Sequence, residues 1–162
     1  MILPTPQFGD FAADAPTGTA GGSPDGSRLR LLASRLERAP AGVSRVVVEF
    51  AQVRDAALVV GRQEGTACPG GDLRLAALAT FDALTRAANG ALAFDLIGVK
   101  PVRAFDTTVM MVAAVVRQDG IATRVVGAAI AEGSEIDATV RASLHAVNRL
   151  VSPLLGPLPI RD

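Results

Sequence analysis

ATVRASLHAVNRL, residues 138–150, has a worn copy earlier in the chain, LAALATFDALTRA, residues 75–87. Laid together they set Ala79 on Ala142, Ala83 on Ala146 and Arg86 on Arg149, an offset of 63 residues. Both read as amphipathic helices. Ile136, Val140, Leu144, Val147 and Val151 form one apolar stripe, and Leu73, Ala77, Phe81 and Leu84 sit near helical spacing in the other. A helix that recurs at a fixed interval marks a duplicated unit.

Working outward, the same offset of 63 pairs Val46 with Val109, Ala51 with Ala114, Val53-Arg54 with Val116-Arg117, and Gly70 with Gly133. On this reading the halves align without a gap. SRVVVEFAQV (44–53) and LVVGRQEGTA (58–67) read as two strands around an Arg54-Asp55 turn, from their β-branched content. TVMMVAAVVR (108–117) and IATRVVGAAIA (121–131) repeat them around Asp119-Gly120, a pair suited to the positive φ angles of a tight hairpin. RLRLLASRLER, from Arg28, fits a strand or a short helix by period alone. The offset sets its first eight residues against the strand-like ALAFDLIG (91–98), which makes 28–36 a strand. Asn89-Gly90 stops the first helix. Ser134 is placed to cap the second, with Asp137 at its third position. Ser152-Pro153 ends it.

The expected fold is therefore α+β: two βββα units related by a pseudo-twofold axis, with the sheets packed on two helices. Neither unit has enough core to stand alone, so each must bury the other's apolar face. VMMVAAVV has almost no polar side, which predicts a sheet covered on both faces, partly by a second subunit. A homodimer is expected. Residues 1–27, rich in Gly, Pro, Ala and Ser, read as a disordered tail, 28–152 as the duplicated domain, and 153–162 as a Pro-rich C-terminal tail.

Composition narrows the function. Net charge is +0 over 162 residues, against the basic footprint of a nucleic-acid binder. Aromatics are 4%, with no Trp or Tyr to stack on bases or sugars. One cysteine, Cys68, excludes an intramolecular disulfide and fits a reducing compartment. No apolar run is long enough to span a bilayer, and the N-terminus lacks a secretory pattern, so the expectation is a cytoplasmic protein.

SEIDATVRASLHAVNRL (134–150) resembles the closing helix of the C-terminal regulatory domain of 2-isopropylmalate synthase. The residues that carry the likeness are Asp137, Ala138-Thr139, Arg141-Ala142 and Ala146-Val147-Asn148-Arg149. The order of elements is similar too, over 28–150. The resemblance implies a non-catalytic regulatory domain that dimerises and binds a branched-chain amino acid, acting on a partner enzyme. The family's first helix entry carries Pro and Asp where this chain has Asp72 and Arg74. That departure favours the alternative, a pure interaction or structural module that has lost its pocket. The catalytic barrel of the synthase has no counterpart here.

The best ligand candidates are the two glycine-containing helix entries: Gly70, Gly71 and Asp72, and Gly133, Ser134 and Asp137. Both present free backbone N–H groups to a small-molecule effector. His145 is a lone imidazole without companion ligands at metal spacing, which points to a surface or interface role. Cys68 precedes Pro69-Gly70-Gly71 at a helix entry with no base near it in sequence. No phosphate-binding loop, dinucleotide fingerprint or nucleophile motif is present, so no enzyme activity, metal or cofactor is expected.

Overall fold

The computed structural model describes residues 29–52 and 56–155. The expected N-terminal tail, the Arg54-Asp55 turn and most of the C-terminal tail lie outside them. The chain runs β1 (Leu29–Ala39), β2 (Val43–Gln52), β3 (Leu58–Thr66), α1 (Gly71–Ala87), β4 (Ala93–Ala104), β5 (Thr107–Gln118), β6 (Ile121–Ile130) and α2 (Glu135–Val151). A single 3-10 turn, Ser152–Leu154, follows. The strands form two antiparallel meanders, β1-β2-β3 and β4-β5-β6. The fold is α+β with two βββα units, as expected.

Alternation in the central strands sets which face is buried. Ser44, Val46, Val48 and Phe50 point inward from β2, and Met110, Val112, Ala114 and Val116 from β5. The helices cover these inner faces. Each is buried on two sides. A small-residue side, with Ala76, Ala79, Thr80 and Ala83 on α1 and Thr139, Ala142 and Ser143 on α2, meets its own sheet. The large residues of the expected stripes turn elsewhere. Phe81 of α1 stacks on Phe94 of β4, with centroids 4.8 Å apart and rings 4° from parallel. Leu144 of α2 packs in one apolar cluster with Leu29 of β1. Each helix thus helps to bury the first strand of the other unit, which is the reciprocal cover that two incomplete cores require.

Two glycines bring helix and sheet together. A Cβ on Gly61 would run into the Ala79 carbonyl, and one on Gly127 into the Ala142 carbonyl. Both glycines sit on the inner face, opposite Val48 and Val112 respectively. Both outer hairpins carry a bulge, at Leu32 in β1 and Ile97 in β4.

These landmarks correct the ungapped alignment. The offset of 63 holds for the helices, where Thr80 and Ser143 each donate to a carbonyl four residues back, on Ala76 and Thr139. The bulges are offset by 65 (Leu32, Ile97), the central strands by 64 (Val48, Val112) and the glycines by 66 (Gly61, Gly127). The differences lie in the first turn, in the length of the second hairpin and in the run from strand to helix. β1 and β2 are joined by three residues, whereas Phe105-Asp106 suffice for β4 and β5. From central strand to inner-face glycine the second hairpin is two residues longer, Val112 to Gly127 against Val48 to Gly61, although its turn is the tighter. From that glycine to the helix the first unit is three residues longer, Gly61 to Ala79 against Gly127 to Ala142. In a strand a one-residue slip reverses the face, so the offset of 63 wrongly paired buried Val46 with outward-facing Val109. Val46 corresponds to Met110.

Local signals were otherwise sound. Asp119 and Gly120 both have positive φ, 50° and 79°. Ser134 accepts from the Asp137 N–H at 3.3 Å. Asp137 turns its carboxylate to Arg141 at 2.8 Å instead of completing a reciprocal box. Leu155, assigned to the tail by sequence, is buried in the core against α2.

Candidate functional site

The connection between β3 and α1, residues 67–70, shapes an open hollow at the entry of the first helix. Ala67 donates to the Gly42 carbonyl at 2.8 Å, tying this loop to the β1–β2 turn. Gly70 then enters α1 in the left-handed region, φ 74°, without a side-chain cap. The loop walls one side of a groove of about 650 Å³, a size usual for small-molecule sites. Leu36, Ala67, Pro69, Leu73 and Ile136 give it apolar walls, while Arg38, Asp72 and Glu135 supply its charges. It therefore lies between the entries of the two helices.

Its electrostatic centre is Asp72, in the first turn of α1, where helix dipole and carboxylate attract. Arg38 reaches it from β1 at 2.7 Å. That bond first, and the Ser44 hydroxyl second, hold the Asp72 carboxyl below its ordinary value, with partial burial pulling the other way. Asp72 Oδ1 and Ser44 Oγ are both buried without a fully formed hydrogen bond. The groove thus offers a cation at its rim, the Asp72 carboxylate that this cation engages, the Glu135 carboxylate and apolar walls. That combination can take a zwitterion with an aliphatic side chain.

The six residues expected to bind ligand do not converge on one place. Gly70 and Asp72 line this groove, with Gly71 next to them in the chain. Gly133, Ser134 and Asp137 line a separate, smaller depression of about 280 Å³ with Glu132 and Arg141. From the second helix entry the groove receives Glu135 and Ile136, which sequence reasoning did not select. Leu36 and Arg38 were also missed. The signal was hairpin register: closing β1 and β2 over residues 40–42 sets Arg38 opposite Ser44, beneath the α1 entry.

The two chemically conspicuous side chains have structural surroundings. His145 Nδ1 lies 2.9 Å from the Ala128 carbonyl, linking α2 to β6. Cys68 is exposed on the groove wall, and its sulfur occupies the space a side chain at Gly71 would need. Among the described residues no cluster of His, Cys, Asp and Glu could hold a metal ion, and no helix is long and apolar enough to cross a membrane. The chain matches no known family model, and no curated protein is similar to it.

Proposed function

We propose that this chain is a non-catalytic regulatory and dimerisation domain whose effector is a small metabolite, such as a branched-chain amino acid, held between the helix entries. The observation that carries this reading is the open groove. Its aliphatic walls, from Leu36, Leu73 and Ile136, stand beside groups of both charges, Arg38, Asp72 and Glu135. A ligand carboxylate would take Arg38, its ammonium group would take Asp72 or Glu135, and its branched side chain would lie on the walls. The likeness of 134–150 to the synthase regulatory helix agrees with it. Regulation requires that the ligand bind one state of the dimer, or of a complex with a partner enzyme, more tightly than the other.

A second reading is favoured by one contact. Arg38 and Asp72 already neutralise each other at 2.7 Å, as they would in an interaction module whose pocket is spent. Thermal shift of the full chain against the aliphatic amino acids and their 2-oxo acids separates the two. Saturable stabilisation by one of them, lost in Arg38→Met, supports sensing. No stabilisation by any at millimolar levels leaves the interaction module.

A further inference from the structure

The fold contains its own control experiment. The two sheets have the same topology and the same bulge, and both turn an inner face to a helix, so their outer faces can be compared row by row. In the first sheet, Glu37, Arg45 and Glu64 stand side by side across β1, β2 and β3. Arg45 bridges to Glu64 at 2.7 Å and to Glu37 at 3.9 Å. The corresponding row of the second sheet is Val102, Val109 and Ile130. Four residues along β2 from Arg45, Glu49 pairs with Arg35 at 3.6 Å, and its counterpart is Ala113. At these positions the first outer face carries ion pairs, although Leu58 near its other end is 60% exposed; the second has each of those three carboxylates replaced by an apolar side chain.

None of the described residues covers that face. Ile130 is 51% exposed, Val126 57% and Met111 39%. Single monomers rarely leave contiguous apolar patches beyond a few hundred Å². The turn at the same end of the sheet carries Phe105, 99% exposed and held at φ 52°. A large side chain in that region is uncommon and strained, and nothing in the chain's own core rewards it.

We infer that the outer face of β4-β5-β6 is where a second copy of this chain docks, sheet on sheet, with Phe105 at the margin of the interface. The inference rests on the dimerisation half of the reading above and names its surface. Size favours a second copy. Three strands about 4.8 Å apart, of 12, 12 and 10 residues, present roughly 500 Å² of flat face in each copy. Two such faces together reach about 1,000 Å², the threshold for a specific interface, before side-chain relief is counted. The face keeps four charges, all beside or at the end of its middle strand's apolar run: Lys100 next to Met111, Asp95 and Arg124 on either side of Val115, and Arg117 at the far end of β5, paired with Asp95 at 2.7 Å. The β4 edge is broken by its bulge and by Pro101, which discourages edge pairing there and leaves the face as the surface to cover.

The test transplants the first sheet's row onto the second. Val102→Glu, Val109→Arg and Ile130→Glu are combined in the full chain, and Val126→Glu is made alone. Val126 points to solvent in a single copy, so its replacement leaves the chain's own core intact. Sedimentation equilibrium reads the mass and far-ultraviolet circular dichroism reads the fold. The inference predicts a wild-type mass of twice 16.6 kDa. It predicts the single-copy mass for both variants, or dimer dissociation at least a hundredfold easier, with unchanged dichroism. Should the triple variant unfold, Val126→Glu decides. A wild-type chain of single-copy mass at all concentrations overturns both this surface and the dimer. A dimeric wild type with folded variants that stay dimeric overturns the surface alone.

Discussion

Replacing Gly127 with alanine tests the packing on which the doubled fold depends. A methyl there would collide with the Ala142 carbonyl and the Ala146 nitrogen, and would lie 2.9 Å from Ala146 Cα. Every obstructing atom is helix backbone, so no side chain can rotate aside and α2 must lift from its sheet. Overpacking costs about 1–3 kcal/mol, and this geometry places it at the upper end. Loss of glycine freedom in the unfolded chain returns about 0.5 kcal/mol. The net cost is about 2–3 kcal/mol, and the midpoint of thermal unfolding falls by roughly 10 °C. Gly61→Ala, blocked by the Ala79 carbonyl and lying 2.9 Å from the Ala83 nitrogen, must behave alike. Gly133→Ala, with open space around its Cβ and no positive φ, is the control and gains up to about 0.5 kcal/mol. Urea unfolding at one fixed protein concentration measures all three. If Gly127→Ala matches wild type within about 0.5 kcal/mol, the helix does not rest on the strand at this point and the equivalence of the two units loses its best landmark.

Three further outcomes follow from single contacts. Ser134→Ala removes the cap that accepts from the Asp137 N–H; it should cost about 1 kcal/mol in urea unfolding. Asp72 has a folded pKa below its unfolded value, so the stability it contributes is full above about pH 4 and is lost as pH falls through the folded pKa. Asp72→Asn should therefore unfold more easily than wild type at neutral pH, and the gap between their urea midpoints should close in acid. Phe105→Asn with Asp106→Gly relieves two positive φ angles, 52° and 60°; the chain should gain about 1 kcal/mol in unfolding measured at concentrations where it is a single copy.

Much of the architecture was legible because its signals are local. Asp119-Gly120 specifies its hairpin by backbone angle, and Ser134 specifies its helix start by one hydrogen bond. β5 was harder to read: VMMVAAVV is apolar on both sides, so its sequence pointed to cover on both faces and did not single out the inner one. The registers were less legible. An offset read from the helices could not sense the longer run from Gly61 to α1 or a turn shortened at Phe105-Asp106, because such changes fall where sequence carries little pattern. Gly61 and Gly127 would have exposed the error, since a glycine inside a strand often marks a close backbone approach. The groove was half legible. Gly70 and Asp72 announce a helix entry, but Arg38 and Leu36 arrive from a strand more than thirty positions away, and only hairpin register brings them there. The outer face of the second sheet was visible in VMMVAAVV as an excess of apolar residues. Its meaning emerged from the comparison with the charged first sheet, which required the corrected pairing of Arg45 with Val109.

The central functional claim is that the hollow between the helix entries takes an aliphatic zwitterion. Recording backbone amide resonances of the isotope-labelled chain during addition of leucine, valine or isoleucine tests it most directly. The account predicts saturable shifts confined to Leu36, Arg38, Ala67, Cys68, residues 70–73 and residues 135–136, absent in Arg38→Met. Spectra that stay unchanged at millimolar additions of all three, or shifts that gather at the outer face of β4-β5-β6 instead, would contradict it.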